Sequence, residues 1–371
     1  MTDSSTHPAN AFSRADPIGL EDLNRVIQDA LDFGHHSSAR KEPYREVRVL
    51  CFHFDTEGGT YCDKVRDVFS QGFGFQVATC TLPSTLPCTI YAQRDMIREL
   101  LDVFDGMDSD CLVIIYYVGK GEVRSYFGPQ LWMQGHYQEK EGGKPEVNFN
   151  TIRNMCIDHQ PAKVLMLLDT CHAPGGGIGR NKEIIAACSG EHGILTGQFT
   201  DYLVDELTNA ASKGHILTTP QLYSRLAKRQ MMANNMELWS MPVFIAGLPA
   251  AQTPISIKPM NPRDWSPCPS PTDHSEIRVV LSVHLKTPNL QAPSAVREWI
   301  QLRRSAANRI RVDNVYPSNS TTVIVIMTIT LECWYTWRDH PAFAFLGLEV
   351  SHYNEAMLRD MDLRPVEREE T

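Results

Sequence analysis

The sequence predicts an α/β fold: a three-layer sandwich with a mostly parallel central sheet, followed by a small C-terminal α+β module. Three observations predict it. Strand-like and helix-like segments alternate over about 200 residues. Two of the strands, Cys111–Tyr117 and Val164–Leu168, are continuous apolar runs of the kind that parallel sheets bury on both faces. A proline-rich stretch then separates this region from a second group of strands.

These observations divide the 371-residue chain into four parts. Residues 1–44 are a polar segment with one short helix, which we expect beside the first core. Residues 45–248 are the α/β domain. Residues 249–275 contain seven prolines, a density that predicts a linker without regular structure. Residues 276–371 are the small α+β module with a polar tail.

The first half of the α/β domain alternates strand and helix. Val47–Phe54 and Phe75–Leu82 are rich in β-branched and aromatic residues, which favours strands. Between them, apolar residues recur at helical spacing and end near Gly72. The same spacing over 96–104 predicts a second helix, which leads into the buried strand Cys111–Tyr117.

The second half continues the alternation. A short helix around 152–156 precedes the strand Val164–Leu168. Glu183–Ala187 predicts the next strand, and apolar spacing predicts two helices, over 199–207 and through 222–226. The last strand of the domain is expected near Met241–Ile245.

The C-terminal module is predicted from a few elements and carries no catalytic motif that we recognise. Ile277–Leu285 reads as a strand and Ala295–Ala307 as a helix. Two further strands, Ile310–Val315 and Thr321–Leu331, complete the expected module.

Composition and charge exclude several function classes. Lys and Arg number 35 against 44 Asp and Glu, a net charge of −9, which argues against nucleic acid or an anionic membrane surface as the main partner. The longest apolar stretch, Val323–Leu331, is about half the length of a membrane-spanning helix. The first seventeen residues are polar and contain no signal-peptide core. We therefore expect a soluble, cytoplasmic protein.

We expect no metal and no cofactor. The ten cysteines show no repeated metal-ligand spacing, so in a reducing compartment most should be free thiols. The glycines Gly175, Gly177 and Gly179 lie six residues too far from the preceding strand for a dinucleotide-binding loop. No phosphate-binding GxxxxGK[ST] loop occurs in the sequence.

Unusual residues follow the two buried strands. One strand ends in YYVGKGE, which places Lys120 and Gly121 just beyond it. The other ends in LLDTCHA, which places Cys171 two residues after Asp169. Because ligands bind beyond the carboxyl ends of parallel strands, we expect Cys171 to be exposed at this edge of the sheet. The alternative is an inert buried thiol.

These two motifs, in this order, resemble the caspase-like cysteine peptidases, in particular the metacaspase-type, filamentous-fungal branch of peptidase family C14. The segments EIIAACSGE, GQFTDYLVDEL, TTPQLYSRL and MPVFIAG resemble the strand, helices and final strand that follow in that family. IRVVLSVHL and DHPAFAFLGLEV resemble its C-terminal appendage. The resemblance covers about residues 45–350 and implies a caspase-like sandwich.

The resemblance also implies roles for five residues. Cys171 matches the nucleophile, and Lys120 occupies the position of the histidine general base. The backbone N–H of Gly121 would join that of Cys171 in an oxyanion hole. Asp169 matches the acidic residue that selects Arg or Lys in the S1 pocket, and Asp55 would add to that pocket. The alternative role of Asp169 is to cap the turn that follows it.

Lys120 is the departure that decides the expected activity. The family reaction needs a base near pH 7, and lysine is mostly a cation there, with a reference pKa of about 10.4. As a cation it would stabilise the Cys171 thiolate, whereas as a base it would need a strongly depressed pKa. His172 and His53 are the candidate substitute bases, and the alternative for His53 is a half-buried histidine with satisfied ring nitrogens.

Three hypotheses follow. The chain is a pseudo-peptidase that binds peptides or proteins, other caspase-like proteins among them, in regulated cell death or stress signalling. Alternatively, it is an active cysteine endopeptidase that cleaves after Arg or Lys through Cys171, with Lys120 or another residue as base. The third hypothesis is an unrelated α/β protein that uses Cys171 differently.

Overall fold

The structure is a computed structural model. It describes residues 16–28, 44–55, 58–84, 88–125, 129–135, 145–172, 178–188, 197–233, 242–247, 253–260, 266–267, 277–286, 309–319 and 322–350. The predicted helix Ala295–Ala307, the glycines Gly175 and Gly177, the first fifteen residues and the polar C-terminal tail lie outside the described residues.

The described elements largely follow the predicted alternation. The helices Gly59–Asp67 and Phe149–Ile152 each continue as a wider, π-type turn, over Val68–Gly72 and Arg153–Ile157 respectively. In chain order the elements are β1 Ile18–Gly19, α1 over 20–28, β2 Val47–Phe54, α2 Gly59–Asp67, β3 Gln76–Leu82, α3 Cys88–Phe104, β4 Leu112–Val118, β5 Lys120–Ser125, β6 Pro129–Gln134, β7 Glu146–Asn148, α4 Phe149–Ile152, β8 Lys163–Asp169, β9 Lys182–Ala186, α5 Gln198–Ser212, β10 His215–Thr218, α6 Thr219–Ala233, β11 Val243–Ala246, β12 Ser256–Ile257, β13 Ser266–Pro267, β14 Ile277–Lys286, β15 Ile310–Asn319, β16 Thr322–Thr330, α7 Leu331–Trp337 and β17 Phe343–Val350.

A six-stranded sheet forms the centre of the molecule, in the order β11-β9-β8-β4-β2-β3. The five strands from β9 to β3 are mutually parallel, and β11 pairs antiparallel to β9 at one edge. The prediction of a mostly parallel sheet is therefore confirmed. As a result, the carboxyl ends of β2, β4 and β8 meet at one edge of the sheet.

Helices cover both faces of this sheet. Every residue of β4 is buried, and successive residues point to opposite faces. Ile114 and Tyr116 pack in a cluster with residues of α2, α5 and α6. Val113 and Ile115 pack in a second cluster with residues of α3 and α4. Two separate apolar clusters, one on each face, explain why the β4 sequence lacks the apolar–polar alternation of a half-exposed strand.

A small antiparallel sheet of β5, β6 and β7 follows the central strand β4, and the sequence analysis did not predict it. Strand β5 is half-exposed and polar, so it lacks a hydrophobic signal. Arg124 on β5 instead forms ion pairs with Glu122 and Glu146 and lies over the ring of Trp132. These contacts depend on the fold and leave no periodicity in the sequence.

The C-terminal module is a second, mainly antiparallel sheet. Strand β14 lies at its centre between β16 and β17. The predicted strands at 277–285, 310–315 and 321–331 are present with small changes in their ends. Leu331 begins helix α7 instead of ending a strand, because the Thr330 hydroxyl caps the helix by accepting a hydrogen bond from the Cys333 amide.

The N-terminal helix packs more deeply than predicted. Leu23 and Ile27 of α1 are buried in the large cluster that also contains residues of the C-terminal module. Strand β1 pairs with β14, and the Trp337 indole donates a hydrogen bond to the carbonyl oxygen of Val26 at 3.2 Å. The N-terminal segment is therefore part of the packing of the C-terminal module.

The predicted linker over 249–275 is not wholly irregular in the part that the structure describes. Ile255 and Ile257 are buried, and the short strand β12 pairs with β10. Pro254 and Pro259 flank the buried residues 255–257, of sequence ISI. Three residues are too few to show a periodicity. This stretch packs in the same cluster as both sheets.

Candidate functional site

The register of the central sheet brings Lys120 and Cys171 to the same edge. Val118, the last residue of β4, pairs with Asp169, the last residue of β8. Lys120 and Cys171 each lie two residues beyond this pair, and the Gly119 amide donates a hydrogen bond to the Asp169 carbonyl oxygen at 3.2 Å. The two motifs therefore lie at the same edge of the sheet.

The turn that presents Lys120 depends on Gly119. Its φ of 151° lies in the region that favours glycine, and a Cβ at this position would lie 2.7 Å from the hydroxyl of Tyr117. That hydroxyl donates a hydrogen bond to the Lys120 carbonyl oxygen at 2.9 Å. The backbone of Lys120 is thus fixed, while its side chain is exposed to solvent.

Gly121 lies against the residue that precedes the cysteine. A Cβ on Gly121 would lie only 2.1 Å from Oγ1 of Thr170, so no larger residue fits without moving the strand or the threonine. The Thr170 side chain is buried, and its hydroxyl has no hydrogen-bond partner among the described residues. Strand β5 therefore passes close to the residue that precedes Cys171, and the absence of a side chain at Gly121 makes this approach possible.

Cys171 is a half-buried free thiol. Its pKa falls to about 7, chiefly because the thiol of Cys188 hydrogen-bonds to its sulfur. Burial and the negative charge of Asp169 raise the pKa, and the positive charge of Lys120 lowers it. At neutral pH a large fraction of Cys171 is therefore the nucleophilic thiolate.

Asp169 is buried and faces the N-terminus of helix α5. Its Oδ2 accepts hydrogen bonds from the Thr200 amide at 3.2 Å and from the Thr200 hydroxyl at 2.5 Å. The Tyr116 hydroxyl lies 2.5 Å from the same threonine oxygen. Burial raises the pKa of Asp169 to about 6, and the hydrogen bonds from Thr200 oppose that rise.

This geometry bears on both sequence interpretations of Asp169. The side chain does accept a hydrogen bond from a backbone amide. The donor is the Thr200 amide of α5, however, and not an amide of the turn that follows Asp169. Asp169 as a whole residue is only 4% exposed, so it presents little surface to a substrate. The described contacts thus assign it to the support of the site.

Three candidates remain. Asp55 and His53 lie at the end of β2, which is separated from β8 by β4 in the sheet. Asp55 is exposed and accepts hydrogen bonds from the amide and hydroxyl of Ser84. His53 is buried, with Nδ1 2.8 Å from the Phe54 carbonyl oxygen and Nε2 3.1 Å from the Thr81 hydroxyl. Both ring nitrogens thus have partners, as the half-buried alternative expected, but the residue is buried and not half-buried. His172 is half-buried and directly follows the cysteine.

Sequence reasoning missed Cys188 and Thr200. Cys188 follows the end of β9, and only the strand order places that end beside Cys171. Thr200 lies in the first turn of α5, where Gly197 precedes the helix. A threonine in the first turn of a predicted helix signals a helix start, but the sequence does not indicate which carboxylate would reach it.

A site of this composition supports nucleophilic chemistry at sulfur. It combines an accessible thiol of lowered pKa, a nearby cation and a backbone held close to the cysteine. The part of the chain that the structure describes contains no group of three or more His, Cys, Asp or Glu side chains that could hold a metal ion.

Comparisons with known proteins add no family assignment. No protein-family model matches the chain, and a search of curated proteins finds no match.

Within the described residues, no helix is long and apolar enough to cross a membrane.

Proposed function

We propose that the chain is a caspase-like cysteine peptidase homologue, with a caspase-like sandwich fold, that binds peptides or proteins at Cys171 and has impaired hydrolysis. Other caspase-like proteins are candidate partners, in regulated cell death or stress signalling. The observation that carries the proposal is the juxtaposition of Cys171 and Lys120 at the ends of paired parallel strands. This placement is the one that the resemblance implies for a nucleophile and its base.

The impairment follows from the chemistry of Lys120. Peptide hydrolysis by a thiol requires a group that accepts the thiol proton and then donates a proton to the leaving amine. The exposed Lys120 side chain occupies the position of that group, and lysine is a far weaker proton acceptor near neutral pH than histidine. It lowers the pKa of Cys171 as a cation. Loss of a general base typically costs about 10²–10⁴ in rate.

The second candidate function is an active cysteine endopeptidase, and the lowered pKa of Cys171 is the observation that favours it. A cysteine that is already largely thiolate at pH 7 needs less help from a base in the first step. Protonation of the leaving amine would then fall to Lys120 itself or to water.

Active-site labelling tests the proposal without requiring hydrolysis. We would treat the full chain with peptidyl chloromethyl ketones that end in Arg, Leu or Glu, and map the alkylated residue by mass spectrometry. We expect alkylation of Cys171 that saturates with reagent concentration, is slowed by an excess of the matching unreactive peptide, and is absent in Cys171→Ala.

The three end groups distinguish the specificity that the resemblance implies. Faster labelling by the Arg reagent supports recognition of basic side chains, in which the exposed Asp55 is available and the buried Asp169 is not. Labelling that rises linearly with reagent, without saturation or competition, would show a merely reactive thiol and would overturn the peptide-binding proposal.

A further inference from the structure

A second thiol lies directly beside Cys171. In the parallel pair β8–β9, Leu168 is opposite Ala186. Just beyond β9, the Ala187 amide donates a further hydrogen bond to the Leu168 carbonyl oxygen. Cys188 follows at once. Its Sγ lies 2.8 Å from the carbonyl oxygen of Cys171.

The Cys188 thiol is therefore packed under the Cys171 backbone. It is buried, whereas Cys171 is half-exposed. A buried thiol next to an accessible one is the arrangement in which one cysteine meets an oxidant and the other reacts with the product.

We propose that Cys171 and Cys188 form a peroxide-reactive dithiol site, in which Cys171 is oxidised first and Cys188 then closes a disulfide with it. The proposed oxidant is hydrogen peroxide or an organic hydroperoxide. The inference concerns the same thiol as the proposed function, but it requires neither peptide binding nor hydrolysis.

Oxidation of Cys171 and closure of the disulfide are two separate steps. The Cys171 thiolate attacks one peroxide oxygen, so that an S–O bond forms, the O–O bond breaks and the second oxygen leaves as hydroxide or alkoxide, which takes up a proton. Sulfur loses two electrons and the peroxide gains two. The Cys188 sulfur then attacks the Cys171 sulfenic acid: an S–S bond forms, the S–O bond breaks, and the hydroxyl leaves as water with the Cys188 proton.

A second cysteine pair in the chain shows why proximity alone is insufficient. The thiol of Cys62 also hydrogen-bonds to that of Cys51, but both residues are completely buried in the core. That hydrogen bond and burial raise the pKa of Cys51 well above its usual range. Because both residues are buried and the raised pKa keeps the Cys51 thiol protonated, the pair should not react with peroxide and provides an internal control.

The experiment uses the reduced full chain, an equimolar amount of hydrogen peroxide, and dimedone to trap sulfenic acid. In the wild type we expect the mass to fall by two hydrogens, a cross-linked peptide pair that joins Cys171 to Cys188, and reversal by dithiothreitol. In Cys188→Ala we expect dimedone at Cys171, on the order of tenfold more than in the wild type at equal peroxide consumption, because the resolving thiol is gone. Equal consumption is the basis of comparison because the substitution also removes the hydrogen bond that lowers the pKa of Cys171. Cys62→Ala is the matched control and should behave as the wild type does.

Several results would overturn the inference. They are a wild type that accumulates dimedone adduct at Cys171 as strongly as Cys188→Ala does, a cross-link that joins other cysteines, and a Cys171 that stays reduced under peroxide. Mapping the cross-link in the wild type needs no variant, so a poorly folded Cys188→Ala does not leave the question open. Since no peptide is used, cross-linking without saturable peptide labelling would uphold this inference while overturning the proposed function.

Discussion

Thr200 donates two hydrogen bonds to a single oxygen of Asp169, one from its amide at 3.2 Å and one from its hydroxyl at 2.5 Å. This contact joins the end of β8 to the first turn of α5. It fixes the position of the backbone that carries Cys171, and it keeps a carboxylate buried close to the thiol. The pKa of Cys171 thus depends on Asp169, Lys120 and Cys188, which lie on or just beyond three different strands. Thr200 of α5 acts on it through Asp169.

The first prediction concerns the order in which neighbours set the pKa of Cys171. Cys188→Ala should raise that pKa most, because its hydrogen bond is the largest cause of the lowered value. Lys120→Met should raise it by less, and Asp169→Asn should lower it. The pH dependence of iodoacetamide alkylation at Cys171 measures all three. A Cys188→Ala profile that matches the wild type would contradict the assigned hydrogen bond.

The second prediction concerns stability and pH at Asp169. Its pKa in the folded protein is about 6, above the ordinary value of 3.8 that applies to the unfolded chain. The folded state therefore favours the protonated form, so its contribution to stability is complete below about pH 4 and is lost as the pH rises through 6.

Asp169→Asn removes this dependence. Relative to the wild type, the variant should gain unfolding free energy on the order of 2 kcal/mol between pH 4 and pH 7. Urea unfolding of both proteins at a series of pH values measures the difference. A difference that stays constant across this range, or that changes in the opposite direction, would contradict burial as the cause of the raised pKa.

The third prediction concerns the hydroxyl of Thr170, which has no hydrogen-bond partner within the described ranges. Thr170→Val replaces it with a methyl group of similar size and should stabilise the fold by about 1 kcal/mol, because no hydrogen bond is lost. Gly121→Ala should destabilise it by more than about 1 kcal/mol, since the new methyl group collides with residue 170. Thermal unfolding measures both. Destabilisation by Thr170→Val would show that the hydroxyl has a partner.

The fourth prediction concerns the attachment of the C-terminal module to the central sheet. The Tyr335 hydroxyl of α7 donates a hydrogen bond at 2.6 Å to the buried carboxylate of Glu183 on β9. Tyr335→Phe should lower the unfolding free energy by about 1–3 kcal/mol, because the bond is charge-assisted and buried. The matched control is Tyr316→Phe, on the exposed surface of the same module, which should change it by less than about 0.5 kcal/mol. Equal effects of the two substitutions would contradict this contact.

The sequence predicted the central sheet well because its strands carry their own signal. The run of apolar residues through Tyr116 has no polar interruption, and a strand buried on both faces needs none. The edge that gathers Lys120 and Cys171 was also predictable, since the carboxyl ends of neighbouring parallel strands coincide.

The features that escaped prediction depend on contacts between distant parts of the chain. Strand β5 is polar and is held by the ion pairs of Arg124. The partner of Asp169 is a threonine 31 residues away, and that of Cys171 is a cysteine 17 residues away. Neither separation leaves a local pattern, because strand order and register decide which residues meet.

The central claim is that Lys120 is what impairs hydrolysis at Cys171. The measurement that tests it most directly compares the wild type, Lys120→His and Lys120→His/Cys171→Ala on fluorogenic peptides with Arg or Lys at the cleaved bond. We predict that Lys120→His cleaves at least about 100-fold faster than the wild type, and that adding Cys171→Ala abolishes the gain. A wild type that already cleaves through Cys171, and that loses activity in Lys120→His, would contradict the claim and make Lys120 a working base.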